Sequence, residues 1–338
     1  MTNTDRPMSL SLHLRVDGPI ADAVALARRA EEAGADGLSV IEGVRDPFVP
    51  LAAMAAATTT LRLGTYVANA AARTPQATAT VALNLADLSD GRFTLGIGVG
   101  NRHLNEWLFG LDTRRPMATM RDYLTILGAF LRGIVPDGEQ IGGHHHHMQR
   151  RYLPRDPQRV PVVMAAAGPR MIELAGAMTD GVGVGVLVSP EHLANEIRPR
   201  AERAAKAAGH DPGSLRFPMA AMVCIDRDES AARLAARRAI AGLFHPVPHP
   251  YYDFLLRAQG YADVADACDE YAPQKRWNEA LAAIGDDLLD RLTITGTPEQ
   301  CAERLRAYEG VADEVLCLNA VNPSAWDLVL ETIALVRR

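Results

Sequence analysis

Three glycines, Gly96, Gly98 and Gly100, alternate along one run that extends from Phe93 to Asn101. Alternation places all three on the same face of a strand. A face without side chains leaves room for a second backbone or a flat ligand. Tight core packing explains the same stripe, so both readings stay open on the glycines alone. His13 is a lone histidine on an apolar run, the usual setting of a satisfied structural residue. The tract from His144 to His147 has the composition of a metal-binding segment. Successive residues of an extended chain point to opposite sides, however, and no carboxylate or cysteine completes the set at a known zinc spacing. The tract reads as a solvent loop, and no metal centre is expected. Cys224, Cys268, Cys301 and Cys317 lie far apart. With no Cys-x-x-Cys pair they suggest neither a zinc ribbon nor a disulfide framework, and they read as buried thiols.

The elements that must position these residues alternate between short β-rich runs and longer helical runs. Strands are expected from Ser9 to Val16, Gly37 to Ile41, Leu61 to Ala68, Phe93 to Gly98, Val160 to Ala165, Gly181 to Val188, Phe217 to Ile225 and Glu314 to Leu318. Helical patterning lies between them, as from Ile20 to Ala33, where Ile20, Val24, Ala27 and Ala30 share one face. Gly34 stops that helix, and Pro75 opens another at the position where a missing N–H costs least. Several strands are apolar on both faces, as parallel strands covered by helices are. Ala35-Asp36-Gly37, Thr179-Asp180-Gly181 and Ala312-Asp313-Glu314 form a weak internal repeat, each between a helix end and a strand start. Eight right-handed strand–helix units close into a barrel. The expected fold is therefore α/β, a single (β/α)8 TIM barrel spanning residues 1–338. The rival, an open doubly wound sheet, lacks its Gly-x-Gly-x-x-Gly after the first strand. Two segments exceed a barrel's needs: 138–159, and 245–287 with Tyr251, Tyr252 and Trp277. The second is a candidate lid or substrate wall on the C-terminal face.

Composition sets the outer bounds. The 338 residues are 48% hydrophobic and 22% charged, an ordinary globular balance. Lys and Arg total 35 against 41 Asp and Glu, a net charge of −6, which argues against a nucleic-acid partner. The start, MTNTDRPMSL, lacks a secretory signal, and charged or glycine residues interrupt every apolar run before it reaches membrane-spanning length. A soluble, cytoplasmic protein without a membrane partner is expected.

The run Ser89-Asp90-Gly91-Arg92-Phe93-x-Leu95-Gly96-Ile97-Gly98-x-Gly100 resembles the fourth-strand signature of the bacterial luciferase-like flavin and deazaflavin oxidoreductases. Leu63-Gly64-Thr65-Tyr66-Val67 with Arg73-Thr74-Pro75, then Ala167-Gly168-Pro169-Arg170-Met171, Asp180-Gly181-Val182 and Thr293-Ile294-Thr295-Gly296-Thr297-Pro298-Glu299 are similar to further segments of that family, in order. The resemblance implies an enzyme whose barrel binds a flat isoalloxazine or deazaflavin ring at the carboxyl ends of its strands. It implies a ring face supported by a cis peptide at Tyr66-Val67, with Gly98 and Asn101 beside it. It also gives Gly168, Pro169 and Arg170 a role, because a helix start presents free N–H groups and a positive dipole end to a phosphate.

Within the family the text looks closest to the methylene-tetrahydromethanopterin reductase branch, which uses coenzyme F420. Luciferase carries an arginine for the FMN phosphate at the position of Val99, so the resemblance favours F420, with FMN as the alternative. The Asp-His that F420 enzymes often show after the second strand is replaced by Glu42-Gly43. The acid after the fourth-strand glycine is replaced by Asn101. The catalytic candidates are then Glu42, for proton transfer, and Asn101, holding a water that supplies the proton instead. A salt-bridge role near Arg45 is the structural counterpart for Glu42. Glu106 and His13 are candidates for the substrate side. The expected function is hydride transfer between F420 and a small organic substrate. The alternatives are an FMN monooxygenase fed by a partner reductase, or a flavin-binding barrel without catalysis. A homodimer is the family's frequent state and is expected here.

Overall fold

In the computed structural model, residues 8–43, 45–100, 102–107, 109–111, 113–133, 141–143, 146–148, 159–245, 250–320 and 326–337 are described. Eight parallel strands form the frame: β1 Ser9–Leu14, β2 Gly37–Val40, β3 Arg62–Thr65, β4 Phe93–Gly98, β5 Val162–Ala165, β6 Gly181–Gly183, β7 Pro218–Ile225 and β8 Glu314–Asn319. Each pairs in parallel with its sequence neighbour from β1 to β6, and β8 lies between β7 and β1. Closure comes between β6 and β7. The Val182 N–H donates to the Arg216 carbonyl at 2.8 Å, and the Ala220 N–H to the Val184 carbonyl at 2.8 Å. The eight expected runs are thus the eight staves of the barrel.

The strands are apolar on both faces because helices cover the outside and the barrel interior is filled. Leu10, Leu12, Leu95, Ile97 and Met164 are fully buried. Helix Pro169–Met178 begins at the proline anticipated for it, and Gly34, at φ +81°, ends helix Ile20–Glu32. Asp90 and Gly91 turn the chain with positive φ before β4. The following Arg92 donates to the carbonyls of Leu61 (2.6 Å), Thr58 (3.0 Å) and Ala55 (3.1 Å). The arginine of the glycine-rich signature therefore caps the last carbonyls of helix Phe48–Ala57.

The weak Asp repeat has a common geometry. Asp36 donates its N–H to the Leu10 carbonyl at 2.8 Å, while its carboxylate accepts the Leu10 N–H at 2.7 Å. Asp180 makes the same pair with Val162, at 2.9 and 2.8 Å, and Asp313 with Phe217, at 3.3 and 2.7 Å. Each carboxylate satisfies a backbone amide at or next to the start of the neighbouring strand, at the N-terminal end of the barrel.

The excess segment 245–287 folds into helices Pro250–Ala258, Ala262–Tyr271 and Trp277–Ala283, followed by Asp286–Leu292. Leu256, Cys268 and Ile284 pack in one apolar cluster with Tyr66 and Leu316 of the barrel. Gln259 ties the segment to the loop after β6, donating to the Leu187 carbonyl (2.7 Å) and accepting the Ser189 N–H (2.9 Å). All four cysteines are buried and unpaired. Burial pushes each of their thiols up to about 12. No described helix is long and apolar enough to cross a membrane.

Candidate active site

A cavity of about 610 Å³ opens at the carboxyl ends of the strands. Its lining is drawn from every stave: His13 of β1, Ile41 to Gly43 after β2, Tyr66, Val67 and Asn69 after β3, Gly98 to Gly100 at β4, and Ala165 to Gly168 at β5. Gly185 and Val186 follow β6, Ala220 belongs to β7 and Leu318 to β8, while Tyr251 and Tyr252 enter from the inserted segment. A hollow of about 690 Å³ lies at the opposite mouth. There Arg216 pairs with Asp313, Arg159 with Asp180 and Arg62 with Glu314. That end holds the strand starts and their staples, whereas barrels build reactive sites at the other end.

The wall beside β4 is shaped by the glycines, and each is small for a different reason. A Cβ on Gly96 would overlap the Thr65 carbonyl, so here the empty face admits a second backbone. Thr65 itself bridges that gap, its hydroxyl donating to the Gly96 carbonyl at 2.6 Å. A Cβ on Gly98 would stand 2.9 Å from Val67 Cγ2, so this glycine lets Val67 pack closely on the strand end. Gly100 takes φ +73°, with the Asn69 and Asn105 side chains beneath it. The Tyr66-Val67 peptide is cis. The Tyr66 hydroxyl lies 2.7 Å from the Val184 carbonyl and 2.9 Å from that of Pro218, and burial raises its pKa well above the ordinary value.

Glu42 lines the cavity, but both of its carboxylate oxygens are engaged. One pairs with Arg73, and the other accepts the Asn69 N–H at 2.7 Å. Its own N–H donates to the Val67 carbonyl at 3.2 Å. Arg73 also pairs with Asp46 and lies 5.1 Å over the Phe48 ring. Burial by itself would lower the Arg73 pKa, but the two carboxylates outweigh it and raise it. The ion pair is therefore with Arg73, 31 residues away, while Arg45 donates to the Gly18 carbonyl at 2.8 Å.

His13 is 3% exposed. Its Nδ1 lies 2.9 Å from the Ser39 hydroxyl, and its ring meets Tyr66 edge-on at 5.5 Å. Burial lowers its pKa to about 4, and a hydrogen bond with the Ser39 backbone only partly opposes this. The ring is neutral at physiological pH.

The helix Pro169–Met178 starts at the cavity rim. Gly168 lines the cavity, and a Cβ there would meet nothing within 4 Å. No side chain caps this start. Pro169 has no N–H, and the Met171 and Ile172 amides donate to the Gly168 carbonyl (3.0 and 3.1 Å). Within the first turn the Arg170 amide is therefore the one left for a ligand. Pro169 and Arg170 are exposed just outside the lining, and Arg170 forms no ion pair among the described residues. Glu106 lies away from the cavity lining, paired with Arg102 at 2.8 Å and accepting the Thr113 hydroxyl at 3.0 Å. Asn101 lies outside the described residues. The structure thus gathers His13, Glu42, Tyr66, Val67, Gly98 and Gly168 around one space, with Pro169 and Arg170 at its edge.

Asn69 is a site residue that patterning passed over. Besides holding Glu42, its side chain donates to Asn105 Oδ1 at 2.5 Å, and Asn105 donates to the Val99 carbonyl at 2.8 Å. The signal was a lone amide in the otherwise apolar run Val67-Ala68-Asn69-Ala70-Ala71-Ala72.

The family model described as luciferase-like monooxygenase matches residues 6–314. The 5,10-methylenetetrahydromethanopterin reductase of Methanolobus tindarius is 29% identical over 308 residues, covering 88% of this chain and 90% of that protein. Among solved structures, the coenzyme F420 dependent tetrahydromethanopterin reductase from Methanopyrus kandleri has a TM-score of 0.80 at 20% identity, covering 97% of both chains. The oxygenating constituent of 3,6-diketocamphane monooxygenase from a Pseudomonas putida plasmid, in complex with FMN, has a TM-score of 0.67 at 17% identity, with 97% of both chains covered.

Proposed function

The chain belongs to the luciferase-like monooxygenase family of enzymes, and on that footing we propose that it is a coenzyme F420-dependent oxidoreductase. It moves a hydride between the deazaflavin and a small organic substrate. The observation that carries this reading is the shape of the cavity. Val67 packs closely on Gly98, Ala165 to Gly168 line the same space, and that space reaches an uncapped helix start. A flat ring with a phosphate-bearing tail fits such a wall.

When bound, the deazaflavin supplies or accepts the hydride. Val67 and Gly98 would support its ring face, and Arg170, through its amide in the first turn of the helix and its side chain, would hold its phosphate. Val99 brings no charge to the wall, which favours F420 over FMN. Glu42 holds Arg73 and the loop from Val67 to Asn69 in place. Protonating it would break its pair with a partly buried guanidinium, so we assign it to shaping the ring site and leave proton transfer to water.

Titration of the purified protein with F420 and with FMN, followed by fluorescence, tests the cofactor. F420 is expected to bind at least about tenfold tighter, a difference of ~1.4 kcal/mol. Equal affinity removes the preference. Arg170→Ala should weaken F420 several-fold, and an unchanged affinity would take that residue out of the phosphate site.

A further inference from the structure

The deep end of the cavity has little charge. Of its charged lining residues, Glu42 is paired with Arg73, and Arg102 is exposed at the mouth and paired with Glu106. Tyr66 and Leu318 lie beside His13, and Ala220 and Val186 line the same cavity. The Tyr66 hydroxyl already serves the Val184 and Pro218 carbonyls. His13 Nε2 makes no hydrogen bond among the described residues, although the ring lines the cavity. The Ser39 hydroxyl has two acceptors to choose from. His13 Nδ1 is at 2.9 Å, whereas the Leu12 carbonyl is at 3.5 Å, beyond the range of a good O–H···O bond. Donation to Nδ1 is the better bond, and it places the single ring proton on Nε2.

We propose that His13 anchors the substrate: its Nε2–H donates to the oxygen of a neutral, largely apolar carbonyl compound, and Ser39 holds the ring in that tautomer. The proposal rests on reading the cavity as the site of hydride transfer, since a carbonyl carbon accepts a hydride and its oxygen needs a donor. A charged substrate would lose its hydration with no free counter-charge beside it. The registers on either side of His13 are held by Ser39 and Leu318, with Tyr66 across from it, and none of these carries charge at neutral pH.

Nuclear magnetic resonance of the full chain labelled at histidine reads the tautomer directly, with no cofactor present. One imidazole should stay neutral and Nε2-protonated well below pH 6, and Ser39→Ala should mix its tautomers while Ser39→Thr restores them. Cyclohexanone serves as the probe, with cyclohexylammonium and cyclohexanecarboxylate as its charged counterparts. The bound ketone's C=O stretch should move to lower wavenumber, and the charged probes should bind roughly tenfold or more weakly. His13→Phe should abolish that shift. A dominant Nδ1–H tautomer, a stretch shift that survives His13→Phe, or equal binding of a charged probe overturns the proposal. If His13→Phe does not fold, the wild-type tautomer and the probe ranking still decide. Failure of F420 to bind would overturn the cofactor reading while leaving these measurements standing.

Discussion

At the residue scale, Glu42 separates two kinds of site. A carboxylate that carries the proton would lose about 10²-fold or more in turnover as Glu42→Gln, with cofactor affinity nearly unchanged. A carboxylate that clamps Arg73 and the Asn69 amide would act differently. Glutamine keeps one hydrogen bond but leaves a partly buried guanidinium with Asp46 alone of the two carboxylates that now hold it. That should cost about 1–3 kcal/mol of stability, weaken cofactor binding and lower turnover less than tenfold. Denaturant unfolding and a cofactor titration on the one variant distinguish the two. His13 gives a second prediction. Its folded pKa of about 4 lies below the ordinary 6.5, so between these values the unfolded chain binds a proton that the folded chain does not. Stability is unaffected above pH 6.5 and falls as pH drops from 6.5 to about 4, by up to ~3 kcal/mol. His13→Gln should flatten that limb of the stability–pH curve. Such partners are hard to read in a sequence. Patterning sets Glu42 beside Arg45, three residues on, because spacing reveals local pairs. Arg73 meets Glu42 only after two strand–helix units have wound past each other. His13 is visible as an oddity on an apolar strand, but the Ser39 partner that fixes its ring is set by the β1–β2 register.

The elements were legible because each obeys a local rule. Apolar runs flanked by Gly, Asp or Pro became the eight strands, and Pro169 begins its helix where a proline costs least. The Asp repeat was visible as text, but its reciprocal hydrogen bonds with Leu10, Val162 and Phe217 needed the barrel to define them. Asp313→Asn retains the size and an acceptor oxygen but loses the charge that strengthens the bond to the Phe217 N–H and pairs with Arg216. A loss of about 1 kcal/mol is expected by urea unfolding. The inserted segment was recognisable as excess length and as a wall, while its contacts with the barrel, through the apolar cluster and Gln259, include one very close approach. A Cβ on Gly185 would collide with the Tyr251 hydroxyl. Gly185→Ala should therefore cost roughly 1–3 kcal/mol through overpacking, and adding Tyr251→Phe should recover part of it. Strict additivity of the two changes would show that they do not touch, and would remove Tyr251 as the residue that joins the insertion to the site.

For the whole molecule, the barrel and a cofactor it binds would form one thermodynamic system, because the cavity walls come from every stave and from the inserted segment. A ligand that needs all those walls binds the folded chain and not the unfolded one, so its affinity appears as thermal stability. At a free concentration one hundred times the dissociation constant, the gain is about 2.7 kcal/mol. An unfolding entropy of roughly 2.1 cal/mol/K per residue over the 338 residues amounts to about 0.7 kcal/mol/K. The melting temperature should then rise by about 4 °C. A ligand bound tenfold more weakly, at the same concentration, stabilises by about 1.4 kcal/mol and raises it by about 2 °C. Side-by-side melting with F420 and FMN at one concentration thus tests cofactor choice without any substrate. Arg170→Ala supplies the internal control. It removes an exposed charge at the rim, so the unliganded melting temperature should stay within about a degree, as surface changes usually do, while the F420-dependent rise shrinks. A larger rise with FMN than with F420 would reverse the cofactor assignment, and an undiminished rise in Arg170→Ala would place the phosphate away from the Pro169 helix start.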